Sequence, residues 1–454
     1  MTTRSRAATA LALALPLGLL AACGTSVEEP AAEGDPTAAE TEDTADSVEG
    51  PTEVQSRTAR IAVTYDGGIK VLDAMTLEEV GDVDLEGFNR LNPAGDGRHV
   101  AVSTTGGFRL LDTGTWGEGH GEHFHYYTAS PELTDVTYEA TKPGHVVSHD
   151  GTTAFFDDDT AHVDLVDSLE VAHADAEVEA LELPEAHHGV AVPLSDGSIL
   201  VSVGTEDERT GVAVLDHDGE EIAVYDDCPG VHGESVAQGE AVVVGCENGA
   251  VVHADGEFTA VDTPDDYSRI GNQAGSEASP VILGDYKTDP DAELERPTRV
   301  SLIDTRDASH QLVDLPGSYS FRSLARGDDG EALVLTTDGS LQVIDPESGE
   351  ITASIPVVDS WEEPTDWQQP RPTVLALDGS VYVTDPANQQ LHAVDLVEQE
   401  VWLTADLGVE ANEISGVYGE PTAEHSEEEH GDEHSEEDHS EEDHADEGHE
   451  DHDH

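Results

Sequence analysis

The chain has 454 residues, 18 Lys and Arg against 100 Asp and Glu, and a formal net charge of −82. Charge of that sign and size repels nucleic acid and anionic headgroups, and it draws cations to the surface over a Debye length of about 8 Å. With only 5% aromatic residues and a mean hydropathy of −0.41, part of the chain is expected to lack a packed core, while its length allows one large all-β domain or two ordinary ones.

Residues 1–22 read as a lipoprotein signal peptide. Arg4 and Arg6 precede an apolar run from Ala7 to Leu20, which leads into Leu20-Ala21-Ala22-Cys23. The run is shorter than the roughly 20 residues of a comfortable membrane span. The Leu-Ala-Ala-Cys ending resembles a bacterial lipobox, so Cys23 is the expected lipidation site and an N-terminal lipid anchor the expected membrane contact; the bland alternative is an ordinary signal with a chance cysteine. Residues 23–56 are rich in Glu, Ala, Thr, Pro and Asp, the composition of a flexible tether. The expected location is extracytoplasmic, on the outer face of a bacterial cell membrane.

Residues 57–419 show short alternating or β-branched runs broken by Asp-Gly turns, the pattern of antiparallel strands. A unit recurs: an apolar strand, a turn, a second strand, a strand ending in Asp, and a last strand. The strand-then-Asp marks fall at positions 73, 112, 167, 216, 255, 304, 345 and 395. Their spacing suits the repeats of about 40–50 residues that build propeller blades. The expected fold is an all-β β-propeller, with eight blades favoured over seven; two packed sandwiches would not explain the four-strand unit. The first unit lacks a leading strand, and residues 412–419 are expected to supply it and close the ring.

No Gly-x-Ser-x-Gly elbow, P-loop, dinucleotide fingerprint or His-Glu-x-x-His occurs, and carboxylates are too common to be informative. Histidines are more selective. GHGEHFHYY contains His120, Glu122, His123 and His125; in an extended segment His123 and His125 point to one side. His145, His188 and His232 each open a unit's first apolar strand, which in a propeller is innermost. Neighbouring blades would thus present them around one mouth of the axial channel. Such convergence of imidazoles suits Zn2+, which takes four N, O or S ligands. His123, His125, His145, His188 and His232 are therefore the ordered-site candidates, with Glu122 and His149 weaker ones; a hydrated polar channel mouth is the bland alternative. Cys228 and Cys246 form an even pair outside the cytoplasm, so a disulfide is the default and a thiolate zinc site the alternative.

The segments DDCPGVHGES with GCENG, GHGEHFHYY and KPGHVVSHDGTTAFFDDD resemble the AztD-type extracytoplasmic zinc metallochaperones, which are β-propellers. The resemblance covers most of residues 57–419. It implies zinc binding and a protein partner, the solute-binding protein of a zinc ABC importer; with no identifiable general base in the sequence, no enzymatic activity is expected. Two departures stand out: the lipobox, and a histidine-rich stretch at the C-terminus.

That stretch, residues 420–454, has 17 Asp and Glu and no Lys or Arg from Glu424 onward. Its histidines are His425, His430, His434, His439, His444, His449, His452 and His454. Spaced mostly by five, they would walk around a helix, so many weak His/carboxylate sites are expected in a disordered tail. The leading reading is a monomeric zinc metallochaperone whose tail gathers ions. Its rivals are a propeller interaction platform with a solubilising tail, and an enzyme using a channel metal as Lewis acid.

Overall fold

The computed structural model describes residues 50–120 and 123–420. The leader, Cys23, Glu122 and the eight tail histidines lie outside the described residues. Among the described residues regular structure is β-strand apart from a single 3-10 turn at Ser168–Glu170, and no helix is long and apolar enough to cross a membrane.

The strands form antiparallel sheets with a four-strand path each. In chain order, sheet 1 spans residues 60–85, sheet 2 residues 90–139, sheet 3 residues 143–182 and sheet 4 residues 191–225. Sheets 5 to 8 span residues 234–261, 273–314, 324–356 and 374–406. Every strand-then-Asp mark falls at the end of a third strand, as in Gly67–Asp73 and Gln390–Asp395, or one residue past it, as at Asp216, Asp255 and Asp345. The reason is local. The Asp carboxylate turns back and accepts backbone N–H groups of the turn that follows: Asp73 from Met75 and Thr76, Asp304 from Arg306, Asp395 from Val397 and Glu398.

Burial follows strand position. Second strands are the most buried of each sheet, as in Ala241–Cys246, where every residue is buried. Fourth strands alternate, as in Glu400–Asp406, because one of their faces meets water. The core consists of clusters sandwiched between consecutive sheets, and one of them joins Leu377, Tyr382 and Leu391 of sheet 8 to Ile61 and Leu72 of sheet 1. The ring is also closed by backbone pairing. Ile414–Val417 supplies the missing strand of sheet 1, in antiparallel register from Arg60↔Val417 to Val63↔Ile414. First strands of successive sheets lie against one another, Pro143–His149 on Ala191–Pro193 and Gln273–Ala274 on Leu324–Arg326, so they line the axis. The fold is a β-propeller.

One piece stands outside the repeat. Thr115–His120 and His123–Thr128 form a hairpin inserted in sheet 2, between its third strand Gly107–Asp112 and its fourth strand Glu132–Glu139. The segment carrying His120, His123 and His125 is thus a paired ribbon with a sheet of its own. Thr52–Val54, within the stretch read as tether, adds a third strand to it.

Candidate metal centre

In an antiparallel four-strand sheet, the start of the first strand and the end of the second lie at one face of the ring. His145 sits near the start of Pro143–His149, while His188 and His232 precede Ala191–Pro193 and Glu234–Ala237 by a few residues. Three successive sheets therefore bring these rings to one mouth of the axis. One ring nitrogen of each lies within 4.8 Å of the others, and the ring centroids are 5.1, 5.2 and 5.9 Å apart. All three are half-buried.

Each ring is held by its Nδ1. That of His188 donates to Asp158 Oδ2 at 2.7 Å, that of His145 faces the Glu234 carboxylate at 3.2 Å, and that of His232 donates to the Gly271 carbonyl at 2.6 Å. In a neutral ring such an acceptor favours the proton on Nδ1 and leaves Nε2 its lone pair, the arrangement in which histidine ligates a metal. Every brace crosses between sheets: sheet 5 holds a ring of sheet 3, and the entry to sheet 6 holds the ring before sheet 5. Gly271 is itself fixed, its N–H donating at 2.6 Å to Asp285, a buried carboxylate at the end of a second strand.

His232 is the most enclosed ring. Burial, followed by the neighbouring His145 and His188 rings, holds its pKa well below the ordinary 6.5, against the pull of the Gly271 carbonyl. It is therefore neutral and ready to ligate at neutral pH. Its backbone N–H donates to Gly245 O at 3.1 Å, next to Cys246, which is joined to Cys228 in a disulfide. The disulfide pins this segment, and the thiolate zinc site is ruled out. Tetrahedral zinc with bonds of 2.0–2.1 Å needs nitrogens about 3.3 Å apart. The rings must close by at most about 1.5 Å, within reach of side-chain rotation; among the described residues the group holds three ligands.

The other predicted candidates lie elsewhere. His123 and His125 are on the hairpin, in a separate group with His120. His149, at the far end of the strand that begins near His145, gives its Nδ1 to Pro193 O at 3.0 Å and belongs to neither group. His187 is buried with both nitrogens engaged, one by Glu185 O and the other by Ser202.

Sequence reasoning missed Asp158, Glu234 and Gly271, as well as Gly144. A Cβ at Gly144 would lie 2.2 Å from Asp158 Oδ1, so this glycine makes room for the carboxylate that holds His188.

No protein-family model matches the chain. The zinc chaperone AztD of Citrobacter koseri (strain ATCC BAA-895 / CDC 4225-83 / SGSC4696) is 25% identical over 340 residues, 72% of this chain and 78% of that protein. Two solved structures of Citrobacter koseri AztD, one of them apo, superpose with a TM-score of 0.70 at 23% and 21% identity, covering 80% of this chain and 98% of theirs. Dihydro-heme d1 dehydrogenase NirN, at a TM-score of 0.50 and 11% identity over 80% of this chain and 79% of that one, shares the fold alone. In sequence over most of its length, and in fold, this chain is similar to the zinc chaperone AztD.

Proposed function

We propose that this chain is an extracytoplasmic zinc carrier and not an enzyme. It takes zinc as cargo at His145, His188 and His232 and delivers it to the solute-binding protein of a zinc ABC importer. The observation that carries the reading is the convergence of three imidazoles from three sheets, each with Nδ1 committed to an acceptor. Similarity to a zinc chaperone supports the metal's identity and the carrier role. Rigid bracing of each ring reduces the ordering cost of binding, and a three-imidazole set leaves zinc a fourth position at which an incoming ligand attaches before the imidazoles let go.

In this reading residues 1–22 are a lipoprotein signal and Cys23 carries the lipid. Residues 23–56 are the tether, 57–419 the propeller, and 420–454 a chelating tail that gathers ions. The carrier works as a monomer on the membrane's outer face.

The test is zinc titration against a chromophoric chelator, using protein that ends at Glu420, which keeps every described strand. The triple variant His145→Ala, His188→Ala, His232→Ala is expected to lose one tight site. Unchanged affinity and stoichiometry would overturn the reading. Delivery is tested by mixing zinc-loaded protein with an apo solute-binding protein in excess chelator: direct transfer outruns release to the chelator, and equal rates would exclude it.

A further inference from the structure

The face that carries the three imidazoles has a second concavity, on the other half of the ring. A cavity of about 610 Å³ lies where the chain enters sheets 8, 1 and 2. Its walls come from residues 64–66, 87–89, 366–370 and 409–412. Each of these connections lies at the face where first strands begin, as His145, His188 and His232 do for sheets 3 to 5.

The cavity is preformed. Residues 357–373 contain no strand or helix, and connections longer than about 12–15 residues are usually functional. A buried arginine holds them: Arg371, 2% exposed, gives Nη1 to Glu363 Oε1 at 3.1 Å and Nη2 to the Asp366 carbonyl at 2.8 Å. Asn412 ties on the neighbouring walls, its Nδ2 donating to the Gln368 carbonyl at 2.8 Å and its backbone N–H to the Thr64 carbonyl at 2.8 Å. Trp367, between lining residues Asp366 and Gln368, is set edge-on against Phe88 with ring centroids 5.1 Å apart, and it stays 51% exposed.

What the cavity offers is mostly acceptor. Asn89 lines it and is 2% exposed. Its Nδ2 is taken by the Leu85 and Gly87 carbonyls at 3.4 and 3.2 Å, which turns Oδ1 away from them, and Oδ1 has no hydrogen-bond partner. A buried acceptor left unpaired is costly, and a donor brought by a ligand removes that cost. Asp66, Asp366 and Glu410 line the same space and pair with no cation among the described residues. Lys70, Arg322 and Arg371 nearby are committed to other carboxylates, those of Glu79 and Asp82, Glu413 and Glu363. Carboxylates alone say little in this chain. Beside an orphaned amide oxygen and exposed indole surface, they select a cation rich in N–H donors, which gains from the ring as well as from charge.

We infer that this cavity seats an arginine or lysine side chain of the protein that takes the zinc, and so sets that protein over the channel mouth. The inference rests on the delivery reading above. A net charge of −82 draws a basic surface from a distance, but it does not orient it. One side chain anchored on the face of the imidazoles does.

The test compares two triple variants of the zinc-loaded chain. Asp66→Asn, Asp366→Asn, Glu410→Gln neutralises the cavity, and Glu206→Gln, Asp207→Asn, Glu208→Gln neutralises a turn of sheet 4 on the same face. All six residues are exposed, so folding is unaffected. Both variants are expected to keep zinc affinity within twofold in chelator competition. With the apo solute-binding protein at limiting concentration, the cavity variant is expected to transfer zinc at least about tenfold more slowly than the parent, and the turn variant within twofold of it. Parental rates in the cavity variant would overturn the inference; so would equal losses in both variants, which reduce the effect to net charge. N-acetylarginine methylamide, followed by Trp367 fluorescence as the difference from Trp367→Phe, is the arm without a partner. It is expected to bind the parent saturably and not the cavity variant, and equal signals in the two would overturn the cation chemistry. A parent that transfers zinc no faster than it releases it to chelator refutes the delivery reading and the recipient as occupant, while a saturable signal lost in the cavity variant leaves the cation cavity standing.

Discussion

Asp158→Asn isolates the bracing of the channel site from its ligands. Asp158 is 5% exposed; its Oδ2 accepts from His188 Nδ1 at 2.7 Å and its Oδ1 from the Gly189 N–H at 3.4 Å. Asparagine keeps the shape but has one acceptor oxygen for these two donors. If the oxygen faces His188, the amide NH2 confronts the Gly189 N–H. If the NH2 faces His188, it forces Nδ1 to accept, moves the proton to Nε2 and blocks the ligating nitrogen. Replacing such an outer partner typically weakens a metal by about 10–100-fold, or about 1.4–2.8 kcal/mol. The assay is chelator competition on protein ending at Glu420 with the hairpin histidines replaced, with thermal melting to confirm the fold. Zinc affinity within twofold of the parent, in a protein that melts normally, would refute the claim that Asp158 sets the His188 tautomer.

Gly144→Ala should weaken zinc by a similar factor without touching a ligand, because its Cβ would lie 2.2 Å from Asp158 Oδ1; unaltered affinity in a folded variant would contradict this. The double variant Cys228→Ser, Cys246→Ser opens a loop with a sequence separation of 18 and should cost about 3 kcal/mol in chemical denaturation, along with slackened zinc binding through His232. The depressed pKa of His232 means that the native state binds fewer protons than the unfolded chain. Its contribution to stability is therefore full above pH 6.5 and is lost as the pH falls below it. Melting of the zinc-free protein between pH 7.5 and 5.5 should fall more steeply in the parent than in His232→Ala, and parallel slopes would count against it.

The repeat was legible because third strands run into an Asp that in most sheets caps the following turn, a local device with a fixed place in the unit. The channel histidines were legible for a related reason: position in the unit predicts position on the axis. Their partners were not. Asp158 reaches His188 across 30 positions and Glu234 reaches His145 across 89, and in a chain with 100 carboxylates neither stands out. His120 was visible beside His123 and His125, but a segment so poor in aliphatic residues reads as loop. Only cross-strand pairing sets His120 opposite His123 and parts this group from His145.

Closing the ring with four residues from the far end of the chain also exposes the molecule to its own copies. Until Ile414–Val417 arrives, Arg60–Tyr65 presents one open edge, with Ile61, Ala62 and Val63 at its centre buried in the finished sheet. An unpaired edge of that kind accepts any strand of matching register, and a second copy carries an identical one. The same four pairs that complete one molecule would link two by strand exchange. Concentration during refolding therefore decides between closed rings and swapped chains. The swapped form would exchange the Glu420–Tyr126 contact within one molecule for the same contact between two.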